Sequence, residues 1–229
     1  MTHMKKTFQI LNLILITVSL VNAVNYYLKG GLLFKGITSF SFALLGIVNL
    51  VYALCARGKS LGFPIGMATA LVLSMIADVV INLYFIPGAV LFALAHVIYL
   101  AAYCELEPFQ KKDLIPMGLI IVLCLGITNT PLFFIGDSTM KIVVTVYCIV
   151  ISCMFGKAIS NFLRKRSTLN LLLAVGCLLF WGSDLMLALE LFAAGGKLEN
   201  TLCLFSYFPG QTLLAHGIYH YTAMPSNFH

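Results

Sequence analysis

Apolar runs near or above 18 residues recur along the whole chain, each cut by charge, glycine or proline. Such a run is about what a helix needs to cross a hydrocarbon layer roughly 30 Å thick. Backbone in that layer has no water to bond to, so the segments must be helices. The breaks leave eight candidates, at 7–28, 36–56, 64–84, 87–105, 114–132, 141–162, 169–192 and 201–221. The fifth has the weakest pattern, because Pro116 opens it and Asn129-Thr130-Pro131 closes it early. Only 10% of the residues are charged and 61% are hydrophobic, whereas a soluble domain carries about 25% charged residues. The expected fold class is therefore an all-α polytopic membrane protein with eight transmembrane helices, forming a single integral membrane domain over 1–229.

The net charge of +6 does not point to nucleic acid, because the basic residues fall in short connecting segments where membrane topology explains them. With eight spans, both termini share a side with Lys5, Lys6, Arg57, Lys59, Lys111, Lys112, Lys157, Arg164, Lys165 and Arg166. Lys29, Lys35, Lys141 and Lys197 fall on the other side. This bias places both termini in the cytoplasm, and in a bacterium the host membrane would be the inner one. The basic start and the apolar run to Leu28 read as a retained first span, since Val21-Asn22-Ala23 is a poor cleavage site. The seven cysteines form no C-x-x-C pair and no metal spacing, so they imply neither a disulfide framework nor a metal centre.

Two carboxylates interrupt this pattern. Asp78 lies in Met75-Ile-Ala-Asp78-Val-Val-Ile and Asp184 in Trp181-Gly-Ser-Asp184-Leu-Met-Leu. A charge near mid-bilayer costs roughly 2.5–3.5 kcal/mol even on the lenient insertion scale, so such a residue marks a functional site by default. Each aspartate sits in the third span of its half, 1–110 or 111–229. Both halves start on the same side, which allows a parallel internal repeat.

Counting from the turns at Pro87 and Gly196 puts Asp78, His96, Asp184 and Gln211 in one band, roughly 13–22 Å below the non-cytoplasmic helix ends at 1.5 Å per residue. Ser74, Asp78 and Asn82 share a stripe at i, i+4, i+8, Tyr99 follows His96 at i+3, and Tyr207 precedes Gln211 at i+4. Ser74 and Asn82 also suit plain interhelical hydrogen bonding. Glu190, Glu105, Glu107, Asp113, Asp137 and Glu199 read as solvated helix-end or loop residues outside the site. His216 and His220 have metal-ligand spacing but no matching third ligand, and with Tyr219 and Tyr221 they read as an interfacial anchor. Pro209-Gly210 should kink or break the last span beside Gln211.

At these residues the chain resembles the YhhN-type family of lysoplasmalogenase-like membrane proteins. The resemblance is carried by Ala77-Asp78, Ala95-His96-Val97-Ile98-Tyr99, Ser183-Asp184-Leu185-Met186-Leu187-Ala188 and Tyr207-Phe208-Pro209-Gly210-Gln211, with Lys35 matching a lysine at the start of the second span. Ala77 stands where the family pattern has glycine, and Pro209-Gly210 is a further departure. The resemblance implies hydrolysis of the vinyl-ether bond of lysoplasmalogens to a fatty aldehyde and a glycerophospho-headgroup. The partners would be the lysophospholipid and membrane lipid, with no cofactor and no metal.

The residues suit that chemistry. A vinyl ether hydrolyses by protonation at carbon, followed by water addition to an oxocarbenium ion. Two carboxyls, Asp78 and Asp184, can supply the acid and the base. His96, Tyr99, Tyr207, Gln211, Asn82 and Lys35 would bind or orient the substrate. The residues alone do not say which aspartate is the acid. Mid-membrane acids and a broken helix also mark small proton-coupled transporters, and a structural membrane protein with a paired polar core is a third reading.

Overall fold

The computed structural model describes residues 2–56, 60–193 and 195–224. Arg57 and Lys59, counted above for topology, lie outside the described residues. Eight α-helices account for nearly all of the rest, and no strand occurs among the described residues. They are α1 (Thr2–Lys29), α2 (Leu32–Ala56), α3 (Gly62–Leu83), α4 (Phe85–Leu106), α5 (Leu114–Thr128), α6 (Ser138–Arg164), α7 (Thr168–Phe192) and α8 (Lys197–Ala223). A 3-10 turn, Lys111–Asp113, precedes α5. Six helices, α1 to α4, α6 and α7, are long and apolar enough to cross a membrane, which makes this an integral membrane protein.

The fifth and eighth helices depart from that length and composition. α5 has 15 residues and stops at Thr128, not 132. Pro131 cannot donate to the helix and turns the residue before it away from helical geometry. Asn129 and Thr128 instead cap the open carbonyls, with Asn129 Nδ2 donating to Leu125 O at 2.8 Å and Thr128 Oγ1 to Cys124 O at 3.1 Å. α8 is long but more polar, and it stays helical straight through Pro209. The expected break at Pro209-Gly210 is therefore absent. Gly210 serves close packing: a Cβ there would lie 3.0 Å from Gly176 O and 3.2 Å from Leu179 Cβ on α7.

Packing closes α2, α3, α4, α6, α7 and α8 into a ring, each helix touching the next and α8 returning to α2. α1 lies outside against α2 and α8, and α5 lies outside against α6. Phe42, Met67, Leu71, Tyr99, Phe180 and Phe208 fill the ring as its buried core.

Two polar clusters hold the ring away from the aspartates, and both revise the sequence reading. Asp113 is buried, not solvated, and Lys157 is buried with it rather than lying in a connector. Lys157 Nζ donates to Asp113 Oδ2 at 2.7 Å and Ser160 Oγ to Oδ1 at 2.5 Å, while the Gln110 amide donates to Oδ2 at 2.9 Å. The 3-10 turn tucks Asp113 against α6, where Lys157, Ser160 and Arg164 share a stripe. Burial pushes the Asp113 carboxyl up, but the bonds from Lys157 and Ser160 outweigh it and hold the group below the usual carboxylate range. The second cluster links α1, α2 and α8. Asn12 and Asn49 exchange amide hydrogen bonds at 2.6 and 3.0 Å, and His216 Nδ1 lies 3.0 Å from Asn12 Oδ1. Tyr219 and Tyr221 are buried beside Tyr52 and Phe63 and do not act as interfacial anchors.

Candidate active site

A cavity of about 290 Å³ opens within the ring, walled mainly by α3, α6, α7 and α8. Asp78 and Asp184 both line it. Apolar side chains on every side, Phe92, Ile151, Trp181 and Leu204 among them, leave the carboxyls facing a mostly hydrocarbon-walled space.

Asp78 projects from α3 and is 3% exposed at its side chain. Its Oδ2 accepts the Ser39 hydroxyl from α2 at 2.6 Å and the Tyr207 hydroxyl from α8 at 2.8 Å. Lys35 Nζ stands 3.7 Å from Oδ1. Asn82, one turn on, does not reach the carboxyl: its amide donates to the Asp78 backbone carbonyl at 2.5 Å.

Asp184 projects from α7 and is more open, at 17%. The Tyr147 hydroxyl from α6 donates to its Oδ2 at 2.6 Å, and Ser183 Oγ lies 3.3 Å from Oδ1. Behind it, His96 Nε2 from α4 is 2.9 Å from the same Tyr147 oxygen and 3.6 Å from Asp184 Oδ2. His96 Nδ1 is buried without a hydrogen-bond partner. The Tyr147 hydrogen is committed to Asp184, so His96 Nε2 is the donor to the Tyr147 oxygen.

Phe180 separates the two centres, with its ring 4.7 Å from His96 and 5.3 Å from Tyr207. Beneath it, Tyr99 donates to Gln211 Oε1 at 2.8 Å, and both are fully buried.

Of the eight residues the sequence singles out, Asp78, Asp184, Asn82, Tyr207 and Lys35 line the cavity. His96, Tyr99 and Gln211 stand behind its wall and do not reach the space. Depth counting brings His96 level with Asp78, but the helix rotations give it to Asp184. Glu190, read as a solvated helix-end residue, lines the cavity as well, because the end of α7 presents a wide arc to it. Sequence reasoning passes over Ser39 and Tyr147 entirely. Single hydroxyls in spans carry little signal, and the segment around Tyr147 matches none of the four motifs. Among the described residues no three His, Cys, Asp or Glu side chains cluster as a metal site would require.

These features define a helical membrane protein with a carboxylate-bearing internal cavity. The chain belongs to the YhhN family, whose model matches residues 38–218 and so takes in both aspartates. It is 28% identical over 135 residues to the Bos taurus protein named lysoplasmalogenase TMEM86A, a match covering 58% of this chain and 54% of that protein. The chain thus spans about half the length of the curated relative it matches. No solved structure matches it.

Proposed function

We propose that the protein is an intramembrane hydrolase that cleaves the vinyl ether of a lysoplasmalogen, giving a fatty aldehyde and a glycerophospho-headgroup. One observation carries this reading: both aspartates line a single, largely apolar cavity. The name of the bovine relative and the family membership support the substrate class.

The surroundings of the two carboxyls suit opposite roles. Asp78 accepts two hydroxyl hydrogens and faces the Lys35 ammonium, an arrangement that suits the group that takes a proton from water. Asp184 has no lysine or arginine paired with it among the described residues and is more exposed to the cavity, which suits the proton donor. Asp184 would give its proton to the β carbon of the vinyl ether, leaving an oxocarbenium ion. Water then adds to that cation and passes a proton toward Asp78. The hemiacetal collapses as Asp78 passes its proton to the glycerol oxygen, the C–O bond breaks, and the hemiacetal hydroxyl proton returns to Asp184. The sum is one water consumed and one aldehyde and one alcohol released.

We further propose that α5 and α8 also cross the membrane, giving eight spans with both termini cytoplasmic, and that the single domain is a parallel repeat. The neighbour pattern supports the repeat, since exchanging α1–α4 with α5–α8 maps α2–α8 packing onto α6–α4 packing. The same exchange maps Ser39 and Tyr207 on Asp78 onto Tyr147 and His96 around Asp184. A proton-coupled carrier would need a path to both sides. The fully buried Tyr99, Phe180 and Gln211 behind the cavity support the hydrolase instead.

The test is aldehyde release from a lysoplasmenyl lipid, read by mass spectrometry on purified protein. Wild type should release aldehyde, and Asp78→Asn and Asp184→Asn should each lose it while retaining their melting transitions. A wild type inactive on both choline and ethanolamine substrates would overturn the reading.

A further inference from the structure

The cavity carries one charge that this scheme leaves unused. Four amine or carboxyl side chains of Lys, Asp and Glu line it: Lys35, Asp78, the proton donor Asp184, and Glu190. Lys35 is matched by Asp78. Glu190 forms no ion pair among the described residues, and its partner is neutral, with Asn200 Nδ2 donating to Oε1 at 3.1 Å. The cavity is therefore short of positive charge, and the shortfall sits at the ends of α7 and α8. Phe85 and Phe192, rings 6.3 Å apart and edge to face, line the cavity too. Oε2 of Glu190 accepts no bond from any described residue. A carboxylate with an oxygen left over holds an ammonium group by direct charge and charge-assisted hydrogen bonding.

Resting on the hydrolase reading, we infer that Glu190, positioned by Asn200, forms a headgroup subsite that binds the ammonium of an aminoalcohol-bearing lysophospholipid. Lys35 then faces the phosphate, and the sn-1 chain runs inward past the aspartates. The site selects zwitterionic headgroups over anionic ones, since an anion at Glu190 would meet like charge with no compensating cation. Both ethanolamine and choline carry the required charge. The carboxylate oxygen favours the N–H donors of the first.

Binding can be read without turnover. Trp181 is the only tryptophan of the chain and lines the cavity, so its fluorescence reports occupancy. Saturated 1-O-alkyl lysophospholipids lack the vinyl ether and cannot be hydrolysed by this route. Titrations of the full chain in nanodiscs would compare alkyl-glycerophosphoethanolamine and alkyl-glycerophosphocholine with alkyl-glycerophosphoglycerol. Wild type should bind the ammonium lipids about tenfold or more tightly than the glycerol lipid, the size of one charge-assisted contact. Glu190→Gln should erase that ratio and leave glycerol-lipid binding unchanged or tighter. Asn200→Ala, a milder change, should reduce the ratio and serves if Glu190→Gln does not fold. Equal affinity across headgroups in wild type, or a ratio that survives Glu190→Gln, overturns the subsite. A headgroup preference in a protein that releases no aldehyde would sink the hydrolase and leave the subsite standing.

Discussion

Tyr147 is the residue on which the Asp184 centre turns. Its hydroxyl donates to the carboxylate and accepts from His96, so Tyr147→Phe removes both contacts while leaving the packing volume nearly intact. Asp184 becomes charged as it gives up its proton, and loss of a hydrogen bond to that developing charge costs about 1.5–3 kcal/mol, which predicts a fall of roughly 10–100-fold in kcat for aldehyde release. Ser39→Ala should act similarly through Asp78; a Tyr147→Phe rate equal to wild type would remove the tyrosine from the site. Asp113 makes a second prediction at this scale. Its folded-state value lies below that of the unfolded chain, so it contributes stability above about pH 4, the usual aspartate value, and loses that contribution as pH falls through its folded value. Melting temperature should drop between neutral and strongly acidic pH, and the drop should be smaller in Asp113→Asn. Lys157→Met leaves the buried carboxylate with Arg164, 3.8 Å from Oδ1, as its remaining cation and should cost less than the about 3–5 kcal/mol of a fully unpaired buried charge, read as a lower melting temperature. Asp113 reads from sequence as a connector acid because periodicity says nothing of a turn folding back under a neighbouring helix. The two catalytic candidates were visible for the opposite reason: an acid in an apolar run is costly wherever the run packs.

At the scale of elements, close approach depends on small residues. Gly156 on α6 is the clearest case, since a Cβ there would lie 2.5 Å from Met117 Cα on α5. That contact is backbone, which cannot rotate away. α5 has α6 as its only helical neighbour, so Gly156→Leu should push α5 off the ring and destabilise the protein by about 1–3 kcal/mol or more. A thermal melt in detergent measures this, and an unchanged melting temperature would mean that α5 contributes little to stability. Helix existence and type were legible for all eight segments, because length and hydropathy in a bilayer leave few alternatives. The ends were less so. α5 is shorter than its apolar run suggests and α8 survives its proline, because capping side chains and interhelical fit decide those points locally.

For the whole molecule, orientation is the prediction that matters. Cys55 is exposed at the end of α2 and should react with a membrane-impermeant maleimide only from the cytoplasmic side of sealed vesicles. Labelling from the opposite side would invert the topology and with it the direction in which the cavity opens. The sequence by itself determined that the chain is helical, that it is embedded in a membrane, and that Asp78 and Asp184 are its most informative residues. These follow from transfer free energies, which depend on the composition of a segment and not on its neighbours. Only the tertiary structure decided the partnerships: Lys35, Ser39 and Tyr207 with Asp78, Tyr147 and His96 with Asp184, Glu190 in the cavity, and Tyr99 and Gln211 behind its wall. Those depend on the rotation of each helix about its own axis. In an all-apolar helix that rotation leaves almost no trace in hydropathy, since lipid and protein core accept the same side chains.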